Sequence, residues 1–483
     1  MAGTNRPFLR LLGDGEVEQI HQASLRILIE IGMRIEDPKL RADLSDLGCR
    51  VDADRVKFHP DLIQRAVASI KRKVPLTSWA GKHLDIETGN TLAHAAGGLP
   101  FVIDIGTGEK RNAMIADLAR STRLMNTLDQ LDMPCALFYP SDIHPGINVV
   151  RQYEQLLRHT EKPVYGPGVS SPGQARYIAE LFRAAARART VSSQDPVGVV
   201  CISPECPLFY PQEITDTIRV IVSAGIPTVA LISPLSGLTA PMTMAGGLAQ
   251  MNASMLAFNA MAHLINDKTP VLYGARLASA NMSTGSSIWG LPNIGMAGAS
   301  AVQMARFYGF PSDVYGLSCT SCGFDNQTGY EKAINGLLPL LSGAHLISGF
   351  GSLASLMVGS YEELVIDNET FSYFRKVANG VAVNEDTLAL EVVESVARGG
   401  NYLDQDHTLR HLRSGELFIP KVGFGDSWTE WEAKGSRDIR TVARDVAQKV
   451  VNQEAESILP SKLNREIEGI MKAAHRELVE KAR

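Results

Sequence analysis

The sequence predicts an α/β fold, a (β/α)8 TIM barrel with N-terminal and C-terminal helical additions. Seven prolines each stand just before a short apolar run, and proline suits the first residue of a strand because its missing N–H costs no ladder bond there. The runs recur at the spacing of a βα unit, and a helical pattern follows them. The prolines are Pro100, Pro134, Pro163, Pro196, Pro227, Pro270 and Pro311.

An eighth apolar run, Ala344 to Ile347, lacks the proline but keeps the spacing. The helical patterns cover about 115–128, 146–160, 172–188, 211–224, 241–266, 293–308, 328–342 and 360–376. Strand-then-helix repetition requires parallel strands with right-handed crossovers, and eight of them can close into a barrel. A doubly wound open sheet is the alternative, but it seldom has so regular a set of eight.

The length of 483 residues exceeds the roughly 250 that such a barrel needs. We expect a helical and hairpin extension over 1–95, the barrel over 96–378, and C-terminal helices over 379–483. The run after Pro100 is the predicted first barrel strand. The last two predicted helices, 437–456 and 461–482, have amphipathic faces that the barrel or a partner subunit must cover.

Composition excludes several classes of function. With 47 basic and 52 acidic residues the net charge is −5, which gives no electrostatic case for binding nucleic acid or an anionic membrane. No apolar run has the length of a membrane span or a secretion signal, so we expect a cytoplasmic protein. Six cysteines are too few for a disulfide framework, and Cys319 and Cys322 have no second ligand pair nearby, so no tightly bound metal is expected.

The predicted strand ends carry little acid–base machinery. Paired carboxylates, a histidine cluster and a nucleophile with an adjacent base are all missing from them. Aromatic rings with one strong cation suit a ligand that carries both an ammonium and a carboxylate. The candidate binding residues are Tyr139, Tyr165, Glu205, Tyr273, Arg276, Trp289, His345 and Phe350.

Each of these residues also has a structural interpretation. Any one aromatic ring can belong to the barrel core, and His345 can be a hydrogen-bonded core histidine. Arg276 must find a carboxylate, either that of a ligand or that of Glu205 in a structural ion pair.

One glycine motif favours another class of function. Gly349, Gly351 and Ala354 match a GxGxxG/A pattern that follows a strand and precedes a helical segment, where backbone N–H groups can bind a phosphate. The match is weak in a chain with 42 glycines, and it lies in the last strand of the predicted barrel rather than the first strand of a dinucleotide unit.

Several segments together resemble the trimethylamine methyltransferase family, including its members without pyrrolysine. The resemblance spans nearly the whole chain, and its motifs are loose singly but consistent in order and interval. They are Ile20 to Ser24, Gly32 to Ile35, Asp104 to Glu109, Gln327 to Ala333, Gly336 to Leu338, Ser342 to His345, and Leu403 to Thr408.

The resemblance implies a barrel enzyme that passes a methyl group from a methylamine to the cobalt of a separate corrinoid protein. The chain has only standard amino acids, so a substrate that is already quaternary is implied in place of trimethylamine. We expect glycine betaine, with rings of Tyr139, Tyr273 and Phe350 around the ammonium and Trp289 as a weaker candidate. Arg276 or His345 would hold the carboxylate.

Other functions stay open at this point. Proline betaine and carnitine are alternative substrates for the same reaction. A zinc-dependent methyltransferase would need ligands such as Glu205, Cys206 and Cys319 to meet in space. A phosphate-binding or flavin-binding barrel would use Gly349 and Gly351, and a non-catalytic betaine-binding protein would use the aromatic site alone. We also expect a homo-oligomer.

Overall fold

The computed structural model describes residues 9–481. In chain order its strands are β1 (Met33–Ile35), β2 (Arg50–Asp52), β3 (Arg55–Lys57), β4 (Val74–Thr77), β5 (His83–Ile86), β6 (Leu92–Ala95), β7 (Phe101–Ile103), β8 (Lys110–Asn112), β9 (Val164–Gly168), β10 (Gly198–Ile202), β11 (Phe209–Tyr210), β12 (Thr228–Ile232), β13 (Leu235–Ser236), β14 (Val271–Ala275), β15 (Ala278–Ala280), β16 (Ser287–Ile288), β17 (Ser312–Tyr315), β18 (Leu346–Phe350), β19 (Ser352–Leu353) and β20 (Val358–Gly359).

The α-helices of the same residues, in chain order, are α1 (Asp14–Arg26), α2 (Pro38–Asp46), α3 (Pro60–Ala68), α4 (Ile115–Thr127), α5 (Pro145–His159), α6 (Pro172–Arg187), α7 (Gln212–Ser223), α8 (Met244–Asn266), α9 (Pro292–Tyr308), α10 (Asn326–Leu341), α11 (Tyr361–Ala378), α12 (Glu385–Leu388), α13 (Leu390–Ala397), α14 (Asp406–Arg413), α15 (Trp428–Ala433), α16 (Ile439–Val451) and α17 (Ser461–His475). Helices α4 to α11 match the predicted barrel helices to within a few residues.

A parallel barrel forms the centre of the fold. One continuous sheet runs in the order β6-β18-β17-β14-β12-β10-β9, and all of its neighbouring strands are parallel. The gap between β9 and β6 is filled by residues 133–138, which pair with both neighbours through single bridges such as His94 to Met133 and Cys135 to Tyr165. These bridges close the predicted (β/α)8 barrel.

Six of the seven prolines begin barrel strands as predicted. The residue after Pro163, Pro270 or Pro311 is the first residue of β9, β14 or β17, and the runs after Pro134, Pro196 and Pro227 also enter the barrel. The eighth run becomes β18. Their side chains are almost all buried, which explains why the runs are apolar throughout rather than alternating.

The prediction for Pro100 is wrong. The first barrel strand is β6, every residue of which is buried, whereas the run after Pro100 becomes β7. Strand β7 forms an antiparallel hairpin with β8 across the turn that begins at Asp104, and it lies beside β20 in a small separate sheet. The tight turn after Ile103 sends the chain back along itself, which a barrel strand followed by a crossover helix cannot do.

The additions pack against the barrel. Helices α1 and α3 lie against α8, α16 lies against α11 and α4, and α17 lies against α6 and α5. The amphipathic faces of α16 and α17 are therefore covered by the barrel, with Ala443, Ala447, Leu463, Ile467 and Met471 buried. Within the described residues, no helix combines the length and apolar character needed to cross a bilayer.

Candidate active site

A cavity of about 160 Å³ opens at the carboxyl ends of the barrel strands. Side chains from most of the barrel strands line it, and glycines form part of its rim. The residues that define it are His94, Gly97, Gly98, Cys135, Tyr139, Gln152, Tyr165, Gly166, Gly168, Cys201, Arg276, Tyr315 and Ser348. A larger groove of about 680 Å³ lies on the outer surface between α5 and α17, away from the end of the barrel where (β/α)8 enzymes place their sites.

Arg276 forms a buried ion pair at the floor of the cavity. Its Nη2 lies 2.8 Å from Oδ2 of Asp313, and its Nη1 donates to the Asp313 carbonyl at 2.8 Å and to the Ala275 carbonyl at 3.0 Å. The side chains of both partners are almost completely buried. The predicted alternative partner, Glu205, is wrong: Glu205 is exposed in the loop after β10 and pairs through its backbone with Phe209.

His94 and Tyr165 complete a cluster around Asp313. The Tyr165 hydroxyl donates to Oδ2 of Asp313, and His94 Nε2 lies 3.0 Å from Oδ1. The two rings stack with centroids 3.6 Å apart. Because the carboxylate accepts from three donors, including one fixed cation, the whole cluster is rigid.

The charges in this cluster can be assigned from its contacts. Burial alone would raise the pKa of Asp313, but the charges of Arg276 and His94 outweigh it, so the pKa lies below its ordinary value and the carboxylate is ionised. Both ring nitrogens of His94 lie against oxygen atoms, those of the Asp313 carboxylate and of the Ala95 carbonyl at 2.9 Å, so the ring is held between two polar groups. The guanidinium of Arg276 and the carboxylate of Asp313 are opposite charges buried side by side.

Three tyrosine rings line the cavity. Tyr139 stands at the rim with 39% of its surface exposed, while Tyr165 is buried at the wall. The Tyr315 ring lies beneath the Arg276 guanidinium, whose central carbon is 4.5 Å from the ring centroid. Burial raises the pKa of Tyr315 to about 12. Trp289 does not line this cavity. Its ring packs against the Tyr315 ring, with the two centroids 4.9 Å apart.

Tyr273 and Phe350 point away from the cavity. The Tyr273 hydroxyl donates to Asn252 of α8 at 3.0 Å, so this ring belongs to the layer between barrel and helices. Alternation along β14 explains the direction, because Arg276 points inward and a residue three positions earlier must point outward. Phe350 contacts Phe371 of α11, following a register shift between Ile347 and Phe350.

His345 lies at the opposite end of the barrel. It immediately precedes β18, where its Nδ1 accepts from the Ser312 backbone N–H at 3.1 Å and its Nε2 contacts Thr88. The structure therefore separates His345 from the cavity at the strand ends, and its surroundings are those of a hydrogen-bonded core histidine.

His345 should make the protein sensitive to acid. Burial lowers its pKa to about 4, with a smaller effect from Arg306, against about 6.5 in an unfolded chain. Between these values only the unfolded chain binds the proton, so stability falls as the pH falls from about 6.5 to about 4, by up to about 3 kcal/mol.

We expect His345→Asn, which keeps an acceptor for Ser312, to remove that contribution. Urea denaturation of the parent and the variant at several pH values measures the contribution. Burial also lowers the pKa of His159 to about 4, but both proteins contain His159, so its effect is the same in each. Equal losses of stability on acidification in the two proteins would contradict the assignment.

The glycine motif does not precede a helix. Gly349 and Gly351 have positive φ angles of 125° and 81°, and the chain continues into the β19–β20 hairpin before α11 begins. The Gly351 N–H is already bound by Oδ2 of Asp367 at 2.8 Å. Asp367 and Glu363 in turn share the buried ammonium of Lys332, at 2.7 Å and 2.6 Å. The backbone turn thus binds an internal carboxylate, and the glycine motif lacks the helix N-terminus on which the alternative of a phosphate site depends.

The thiols near the cavity are protonated. Burial raises the pKa of Cys135 to about 12 and that of Cys201 well above its ordinary value, so neither is suited to act as a nucleophile. Cys319 is buried and Cys322 exposed. In residues 9–481 one group of side chains has metal-ligand spacing, Asp386 with His407 and His411, and it contains none of Glu205, Cys206 and Cys319.

Three cavity residues, His94, Asp313 and Tyr315, are not among those predicted from the sequence. Asp313 and Tyr315 stand two residues apart in the predicted strand after Pro311, so period-two alternation directs both to one face. The carboxylate of Asp313 inside a predicted barrel strand was the available signal, because such a group is almost never buried without a partner. His94 was hidden by the wrong position of the first strand.

Comparisons with known proteins agree with this architecture. Residues 2–478 match the family model described as trimethylamine methyltransferase. A trimethylamine methyltransferase of Desulfitobacterium hafniense (strain DSM 10664 / DCB-2) is 29% identical over 467 residues, covering 96% of this chain and 94% of the relative. A glycine betaine methyltransferase of D. hafniense (strain Y51) is 26% identical over 429 residues, covering 88% and 89%.

The fold also resembles a solved structure. The monomethylamine methyltransferase of Methanosarcina barkeri aligns with a TM-score of 0.52 over 99% of this chain and 89% of that one. The sequence identity is 13%, so this likeness supports the fold alone.

Proposed function

Because the chain belongs to the trimethylamine methyltransferase family, and is a methyltransferase by that membership, we propose that it moves a methyl group from a quaternary amine to the cobalt(I) of a corrinoid protein. Glycine betaine is the proposed substrate, and dimethylglycine the proposed product. The Arg276 guanidinium carries this proposal, because it brings to the cavity floor a cation with N–H groups that have no partner among the described residues.

The free N–H groups of Arg276 favour a ligand with a carboxylate. Three of the five N–H groups of Arg276 are used by Asp313 and Ala275, which leaves the Nε hydrogen and one Nη2 hydrogen without a partner among the described residues. Paired guanidinium hydrogens suit a carboxylate. Trimethylamine and choline lack that group, so the cluster supports a betaine.

The tyrosine rings supply a complementary place for the ammonium. A quaternary ammonium cannot donate hydrogen bonds, and it is attracted to the faces of aromatic rings by about 0.5–2 kcal/mol each. Tyr139 lies at the rim of the cavity, and Tyr165 forms part of its wall with its hydroxyl on Asp313. A betaine held by its carboxylate at Arg276 would therefore direct its methyl groups towards the barrel mouth.

The size of the cavity favours the smallest betaine. A volume of about 160 Å³ lies well below the roughly 300–1,000 Å³ of sites for larger ligands. Glycine betaine is smaller than proline betaine and carnitine, which carry the same ammonium and carboxylate on a larger skeleton.

The reaction requires little of the protein beyond positioning the substrate. A corrinoid on the partner protein would supply the cobalt(I) nucleophile and accept the methyl group. The leaving amine departs neutral and no proton moves, so the reaction needs no acid or base beside the rings. Arg276 would fix one end of the substrate and the rings would desolvate the other. The glycines at the rim, Gly97, Gly98 and Gly168, leave the approach to the cavity unobstructed by side chains.

A spectral assay tests the proposal. The folded protein is mixed with cob(I)alamin, or with a corrinoid protein, and with glycine betaine, proline betaine, carnitine or choline. We expect glycine betaine to convert the spectrum to that of the methylated form, and choline to do so much less. An unchanged spectrum with all three betaines would overturn the proposal. A stronger response to choline than to glycine betaine would contradict the binding of a substrate carboxylate by Arg276.

Tyr139 offers a matched pair of variants. We expect Tyr139→Ala to weaken glycine betaine binding by about 2- to 30-fold, the range for one cation–π contact, and Tyr139→Phe to leave it nearly unchanged. Isothermal titration calorimetry measures both affinities, and because Tyr139 is exposed, neither variant removes a residue of the packed core. Equal losses in the two variants would assign the effect to the hydroxyl group instead of the ring.

A further inference from the structure

Two histidines and an aspartate meet in the C-terminal addition, outside the barrel. His407 and His411 are one turn apart on α14, and Asp386 belongs to α12. One ligand atom from each of the three side chains lies within 4.8 Å of the other two. No step of the proposed reaction uses this cluster.

The contacts hold the three side chains close together, with both histidines against Asp386. His411 Nε2 lies 3.1 Å from Oδ2 of Asp386, and His407 Nε2 lies 2.9 Å from the Asp386 carbonyl. The two imidazole rings are 4.2 Å apart. In a tetrahedral zinc site with bonds of about 2.0–2.1 Å, neighbouring ligand atoms are roughly 3.3 Å apart, close to the observed separation of His411 and Asp386.

We propose that Asp386, His407 and His411 bind a divalent transition metal of the zinc class, with water completing the coordination. Imidazole nitrogens with one carboxylate oxygen are a normal ligand set for this ion. On binding, each imidazole gives up the hydrogen at Nε2 and carries its hydrogen at Nδ1. Arg410 contacts the other oxygen of Asp386, Oδ1, at 3.1 Å, so Oδ2 remains for the metal.

The surroundings indicate what the metal would do. Helices α12 to α15 contain no buried residue, and Val381, Leu390 and Leu403 are 86%, 72% and 87% exposed. A segment without its own core needs another source of stability, and a structural metal is one such source. A metal ion bound by Asp386 and both histidines would link α12 to α14 across the intervening loop.

The nearest anchors to the barrel lie beyond this region. Glu369 of α11 accepts the backbone N–H groups of Lys421 and Val422, and Lys376 donates to the Gly415 carbonyl at 3.0 Å. The metal would therefore order residues 384–413 and leave the barrel unchanged.

Zinc titration of the full chain tests the site. After dialysis against a chelator, Zn²⁺ alone is added and followed by calorimetry, and hydrogen exchange is measured with and without it. We expect one ion per chain with a dissociation constant below about 10 µM, and slower exchange in 384–413 but not in the barrel strands. Asp386→Asn and His411→Ala should each weaken binding by at least about 10-fold.

His475→Ala is the matched control, because His475 is another half-buried helical histidine beside a carboxylate, that of Glu480 at 3.2 Å. It should bind zinc as the parent protein does. Absence of stoichiometric binding, parent-like binding by Asp386→Asn and His411→Ala, or an equal loss in His475→Ala would each overturn the site. Circular dichroism establishes that the variants are folded.

Discussion

Replacing Asp313 by alanine is expected to lower the free energy of unfolding by about 3–5 kcal/mol, the cost of leaving one partner of a buried ion pair uncompensated. Arg276 would keep its charge in the barrel, since its guanidinium cannot lose a proton at accessible pH. His94 and Tyr165 would lose the acceptor that fixes them as well. Urea denaturation followed by circular dichroism measures the change.

Two further variants make the test of Asp313 specific. Asp54→Ala removes an exposed ion pair with Arg34 and should cost no more than about 1 kcal/mol. Adding Arg276→Met to Asp313→Ala should recover part of the loss, because it removes the uncompensated charge. A loss below about 1 kcal/mol in Asp313→Ala, or a further loss in the double variant, would contradict the account of the cluster.

Replacing Lys332 by methionine is expected to destabilise the protein by a similar 3–5 kcal/mol at pH 8. The ammonium lies between Glu363 and Asp367, and all three side chains are buried. Burial already raises the pKa of Asp367 to about 8, since the charge of Lys332 offsets only part of the effect. Without Lys332 the two carboxylates repel each other and must take up protons to remain buried.

The pH dependence of this loss checks its cause. In the variant the folded carboxylates have pKa values above those of the unfolded chain, so stability is present at low pH and lost as the pH rises. The destabilisation should therefore grow between pH 5 and pH 8. Lys39→Met, which breaks an exposed pair with Asp43, should cost no more than about 1 kcal/mol. A destabilisation independent of pH would rule out the buried carboxylates as its source.

The barrel could be predicted because its signals are local. A proline before an apolar run and a helix after it are features of a few consecutive residues, and they place six strands correctly. The first strand could not be found in this way, since Leu92–Ala95 follows no proline and the segment that does, Phe101–Ile103, pairs with a distant strand, β20. Which neighbour a strand pairs with is a tertiary property.

The site was predicted in part, for a related reason. Tyr139, Tyr165 and Arg276 do line the cavity, because they stand at strand ends and face inward. Tyr273 stands three positions before Arg276, so its side chain points to the other side of the sheet. Phe350 is turned outward by a register shift that cannot be read from the local sequence. The pairing of Arg276 with Asp313 joins neighbouring strands, so only the folded sheet reveals it.

The single bridges at residues 133–138 mean that the barrel wall has a seam, and the cavity lies against it. His94 stands on one side of this seam, Tyr165 on the other, and Cys135 within it. Isolated bridges stand there in place of a continuous ladder, so side-chain contacts contribute to holding the wall closed beside the cavity. The hydrogen bonds from His94 and Tyr165 to Asp313 connect the two sides of that seam. The charged cluster therefore has a mechanical role in the barrel wall besides its electrostatic one.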